Sequence, residues 1–132
     1  MTDAIISPAD YNRPMKKITI LFGLFIIAVI ILADTGHLGF LAFLYDFPNG
    51  DKVGHFVLYG ILSFLVNLTF LRALRTRDPK RVAVIVSLLL ALAIGAEEFS
   101  QRFFSTRTSS IMDLMCSYAG VALGAWLAYK KR

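Results

Sequence analysis

Asp51, His55 and Tyr59 recur at i, i+4 and i+8 in the stretch that opens a long apolar run. On a helix, that spacing lines all three along one face. A carboxylate next to an imidazole orients the ring, leaving it to act as a general base. A phenol one turn further on can orient the substrate. The apolar run continues to Leu71, long enough to cross a bilayer, which takes about 20 mostly apolar residues. Hydrogen-bonding and titratable groups at the mouth of such a helix are costly unless partnered, so they point to a functional site.

Partners for them occur further along. Glu98 and Gln101 are spaced i, i+3, and Glu98 and Arg102 i, i+4, so either pair can share a helix face. Asp113, Ser117, Gly120 and Gly124 share another, and Gly120-x-x-x-Gly124 would let a neighbouring helix approach closely. Arg107 lies in the short loop between them. In an enzyme, His55 would be the base, with Glu98 or Asp113 as the acid or a second base. Arg107 would clamp a phosphate or carboxylate. A divalent ion among Asp51, His55, Glu98 and Asp113 is a variant of this scheme, but no short ligand pair of the HExxH kind supports it. The sequence names no cofactor.

The elements that must position these residues are membrane helices. The 132-residue chain is 57 % hydrophobic and 17 % charged, with a mean hydropathy of +0.65. A soluble domain has about 45–50 % apolar and about 25 % charged residues. Four spans are expected, near residues 16–34, 51–74, 82–104 and 111–129, in one all-α antiparallel bundle. Residues 1–15, with Pro8 and Pro14, read as a flexible leader ahead of a single domain over 16–132. A basic start and an apolar core also describe a signal peptide, but the first apolar stretch is long for an h-region and has no clean small-x-small cleavage site, which favours a membrane helix over a cleaved signal. The segment 38–45 is apolar but too short to span, and its aromatic residues suit the membrane interface.

The net charge of +5 does not indicate nucleic acid, because the basic residues sit in short flanks of the spans. Arg13, Lys16 and Lys17, the arginine-rich connector 72–81, and Lys130-Lys131-Arg132 all fall on one side of a four-span chain. Lysine and arginine bias places that side, and both termini, in the cytoplasm. Cys116 is the one cysteine, which precludes an intrachain disulfide, and its apolar neighbours make it a packing residue.

Alternation of direction then brings the start of the second span, the end of the third and the start of the fourth to the same, non-cytoplasmic face. Tyr59 would lie about 12 Å deeper than Asp51. Each residue also has a plainer reading. His55 could tie two helices together, Glu97 could face headgroups, Arg102 and Arg107 could contact lipid phosphate, and Ser63 and Asn67 could serve helix packing. Number and convergence favour a site, since four packed helices do not require Asp, His, Glu, Gln, Arg and Asp at one level.

These motifs, Asp51-Lys52-x-x-His55-x-x-x-Tyr59, Glu98-x-x-Gln101, Arg107 with Asp113 six residues on, and Gly120 with Gly124, resemble the VanZ-like family of small bacterial membrane proteins. The likeness covers roughly residues 16–129. The family usually has Asn four residues after the last Asp. Here Ser117 stands there, keeping a hydrogen bond but not an amide. The resemblance implies a multi-pass protein of the bacterial inner membrane and, through the founding member, a link to teicoplanin resistance; it implies no settled reaction.

Two functions follow as expectations. One is an enzyme acting on an envelope lipid or lipid-linked precursor at the outer leaflet, using Asp51, His55, Glu98 and Asp113 for chemistry and Tyr59, Gln101, Arg107 and Ser117 for binding. The other is a non-catalytic lipid binder, or a proton-coupled carrier working as a homo-oligomer, since so small a chain lacks the repeats of most transporters. Either way the polar residues should line one cavity, where crowded carboxylates raise one another's pKa.

Overall fold

A computed structural model describes residues 13–36, 39, 48–104 and 110–132, and only the backbone of Ala33 and Asp51. Helix α1 covers Arg13–Asp34, α2 Gly50–Ala73, α3 Pro79–Ser100 and α4 Ile111–Lys131, with a 3-10 turn over Gln101–Phe103 extending α3. All four α-helices are long and apolar enough to cross a membrane, and there is no strand among the described residues.

Local chemistry explains the boundaries. Pro14 lies within α1, whose described residues are Arg13–Asp34. Asn49 precedes α2 at φ 62°, a left-handed conformation that Asn tolerates better than most residues. At the next break, Asp78 accepts a hydrogen bond from the Lys80 N–H (3.1 Å) and Pro79 is the first residue of α3. The Asp-Pro pair is thus an N-cap and a first helical residue, and α3 starts three residues before the expected position 82. Ser110 caps α4, its hydroxyl accepting from the Asp113 N–H at 3.4 Å.

The exposed surface of the helices is apolar and the tightest interior is polar. Leu88, Leu89 and Leu92 are 60, 62 and 71 % exposed, whereas the largest side chains below 2 % exposure are Gln101, Asn67, Ser63 and Ser117. This inversion suits a hydrocarbon solvent, in which burying leucine between helices gains little and helix contacts rest on close packing and hydrogen bonds.

The most extensive contact joins α2 and α4. A Cβ on Gly120 would strike the Phe56 carbonyl oxygen and come within 3.0 Å of the Gly60 nitrogen. A Cβ on Gly124 would strike the Gly60 carbonyl oxygen and reach the Phe64 nitrogen at 2.8 Å. The two glycines therefore face a neighbouring helix, as their spacing predicts, and that helix presents its own Gly60. Ser63 bolts the seam by donating to the Val121 carbonyl at 2.7 Å. Helix α1 is joined to α2 by Thr19, whose hydroxyl lies 2.8 Å from that of Thr69. Two small apolar clusters fill the rest, Ile26, Tyr59, Ile94 and Val121 drawing on all four helices, and Leu68, Leu71, Val82, Val86 and Ala128 lying further along.

Candidate functional site

The first turns of α2, the last turn of α3 and the first turns of α4 meet at one end of the molecule. Three contacts fix this. Lys52 on α2 places its Nζ 4.0 Å from Asp113 Oδ1 on α4. Glu98 on α3 accepts a hydrogen bond through Oε1 from the Ser110 N–H at the head of α4, at 2.7 Å. Tyr59 packs with Ile94, one turn from Glu98, and with Val121, one turn from Ser117.

Glu98, Asp113, Gln101, Ser117 and Tyr59 are buried at 4, 5, 1, 1 and 7 % exposure, and His55 is half-buried with its ring 6.0 Å from that of Tyr59. Burying a carboxylate is strongly unfavourable unless it is paired or hydrogen-bonded. Lys52 and the Ser110 N–H offset part of that cost for Asp113 and Glu98. The Asp51 side chain and Arg107 lie outside the described residues, as does all of the 38–45 segment except Gly39. Among the described residues no group of three or more His, Cys, Asp or Glu could hold a metal ion. Two apolar grooves open elsewhere, along α3 and α4 and along α2 and α3, and none of the candidate residues lines either one.

Side-chain pairing departs from the expectation in three places. Lys52, to which the motif spacing assigned neither chemistry nor binding, supplies positive charge beside the buried Asp113. The signal was its spacing, since positions 52, 55 and 59 follow the i, i+3, i+7 rule for one helix face. Glu97 is not a headgroup-facing bystander: both its carboxylate oxygens accept from Gln101 Nε2, each at 3.0 Å. Gln101 therefore pairs back to the residue four before it, not to Glu98 three before. Arg102 is exposed and lies over the Phe99 ring at 5.2 Å, away from Glu98.

Ser110 is a further contributor. The pattern Ser110-x-x-Asp113 is a helix-start signature, but only the fold shows that the same residue's N–H reaches Glu98. Ser117 turns its hydroxyl to its own helix, donating to the Asp113 carbonyl at 2.9 Å. Ser63 and Asn67 are helix-packing groups. Asn67 Nδ2 donates to the Ser63 carbonyl at 2.9 Å and its hydroxyl at 3.1 Å.

The sequence model of the family described as VanZ/LLP1 matches residues 9–132. Comparison with curated proteins and with solved structures gave no match.

Proposed function

The chain belongs to the VanZ/LLP1 family, and from that premise we propose that it is a multi-pass protein of the bacterial cytoplasmic membrane that binds or acts on an envelope lipid or lipid-linked precursor. Its four helices alternate in direction, with both termini in the cytoplasm and the polar end facing outward. The pairings Thr19–Thr69, Asn67–Ser87 and Glu98–Ser110 support the alternation, and the basic residues near positions 13–17, 72–81 and 130–132 support the orientation.

The burial of two carboxylates, Glu98 and Asp113, with Gln101 at one end of the bundle carries this reading. Charges at membrane depth cost at least about 2.5–3.5 kcal/mol each on the lenient insertion scale, and helix packing alone does not call for them. In the catalytic form, His55, oriented by Asp51, takes a proton from the substrate. Glu98 or Asp113 returns one, Lys52 and Arg107 hold a phosphate or carboxylate, and Tyr59, Gln101 and Ser117 position the rest. A role in glycopeptide resistance is an implication of the family.

A second reading, a binder without turnover, is favoured by a specific observation. Glu98 is engaged by Ser110, Gln101 by Glu97, and Ser117 by its own backbone, as in a rigid recognition surface. Proteoliposomes containing a polyprenyl-linked envelope precursor separate the two. Turnover that His55→Ala abolishes while binding persists identifies an enzyme. Binding without turnover identifies the binder, and neither would mean that the polar residues only tie helices together.

A further inference from the structure

At the opposite end of the bundle, an open apolar groove of about 550 Å³ runs between α3 and α4. Its lining extends from Lys80 to Ala91 on α3 and from Tyr118 to Tyr129 on α4. Each is eleven residue steps (91 − 80 and 129 − 118), or about 16 Å of helix rise. A bilayer's hydrocarbon core is about 30 Å thick, so the groove has the depth of one leaflet. At its deep end the Tyr118 hydroxyl donates to the Ala91 carbonyl at 3.0 Å, joining the two walls. The small side chains of Ala83, Ala122 and Ala125 give it width.

The mouth is cationic. Lys80 lines it directly, and the rings of Trp126 and Tyr129 line it beside two further charges. The Lys130 ammonium lies 4.3 Å from the Trp126 ring centroid, and the Arg132 guanidinium 4.3 Å from that of Tyr129. Aromatic rings of this kind belong at headgroup level. An apolar slot one leaflet deep, with three cations at its mouth, matches a molecule that has a hydrocarbon tail and an anionic head.

We propose that this groove binds an acyl chain of an anionic glycerophospholipid, with Lys80, Lys130 and Arg132 holding its phosphate. A second copy of this chain is the weaker occupant, because its net charge of +5 opposes its approach to a cationic mouth. The site is at the other end of the bundle from Glu98 and Asp113 and does not depend on what those residues do.

Trp126 is the single tryptophan, so its fluorescence reports on the groove. The full chain would be reconstituted in phosphatidylcholine vesicles with equal mole fractions of dibrominated phosphatidylglycerol or dibrominated phosphatidylcholine. Quenching should show a preference for the anionic lipid of about fivefold, the factor for one basic residue near an anionic surface. The triple variant Lys80→Gln, Lys130→Gln, Arg132→Gln, which removes every cation at the mouth, should bring the preference close to one. Ala122→Leu, which fills the slot but leaves every cation, should do the same, with helicity by circular dichroism unchanged in both. Equal quenching by the two lipids, or a preference that survives both variants, would overturn the proposal. So would efficient disulfide cross-linking between copies carrying Ala122→Cys on a Cys116→Ser background, which assigns the groove to a second copy.

Discussion

Lys52 approaches Asp113 to 4.0 Å while keeping 31 % of its side chain exposed, against 7 % for its partner. Water therefore screens the lysine more than the carboxylate, and the pair is worth less than a fully buried one. Lys52→Met should lower stability in detergent by about 1 kcal/mol, read from thermal unfolding. Adding Asp113→Asn to that variant should cost less than Asp113→Asn alone, since the carboxylate no longer has that cation to lose. Strictly additive losses would show that the approach carries no energy. Ser63 offers a cleaner residue test. Its hydroxyl is fully buried, donates to Val121 and accepts from Asn67, so Ser63→Ala should cost between about 0.6 kcal/mol, the mean for hydrogen bonds between membrane helices, and about 1.7 kcal/mol, the largest found. An unchanged melting temperature would mean that glycine packing alone holds the seam.

The contact between α2 and α4 is the element on which the bundle depends, and glycine decides it. Gly124 has no space for a methyl group, because the α2 backbone at Gly60 and Phe64 occupies it. Gly23 on α1 has nothing within 4 Å of where its Cβ would be. Gly124→Ala should therefore destabilise by about 1–3 kcal/mol, the cost of overpacking, with Gly120→Ala behaving alike. Gly23→Ala should be neutral or should stabilise by up to about 1 kcal/mol through helix propensity. Equal stability of Gly23→Ala and Gly124→Ala would remove the close-approach account. Gly95 is intermediate, since its Cβ would meet only the Tyr118 hydroxyl at 2.9 Å, the movable end of a side chain.

Across the whole molecule, the sequence pattern makes the two ends chemically unlike. With the proposed alternation of helix direction, one gathers Lys52, Glu97, Glu98 and Asp113 on its helix ends, and the other gathers the connector 72–81 and the basic tail. Reporter fusions at Gly39 and Ser105 should give a signal from outside the cytoplasm, and a fusion at Thr76 a cytoplasmic one. A non-cytoplasmic signal at Thr76 would invert the orientation and put the polar end in the cytoplasm.

The four spans were legible in the sequence, and the physical reason is the bilayer. A backbone in hydrocarbon must satisfy its hydrogen bonds within the helix, so each span becomes a long apolar run ended by a turn or cap, as at Asp78-Pro79 and Ser110. Helical period also put Gly120 and Gly124 on one face, where they are needed. What the sequence could not determine was how each helix is rotated and slid against the next. Periodicity relates positions along a single helix and says nothing about which side chain across the seam lies opposite. Gly60 as the partner of the two glycines, Lys52 beside Asp113, and the Ser110 N–H on Glu98 all depend on that rotation and register. For Gln101, spacing along the chain allows either Glu97 at i−4 or Glu98 at i−3, and the structure pairs it with Glu97 while the Ser110 N–H engages Glu98.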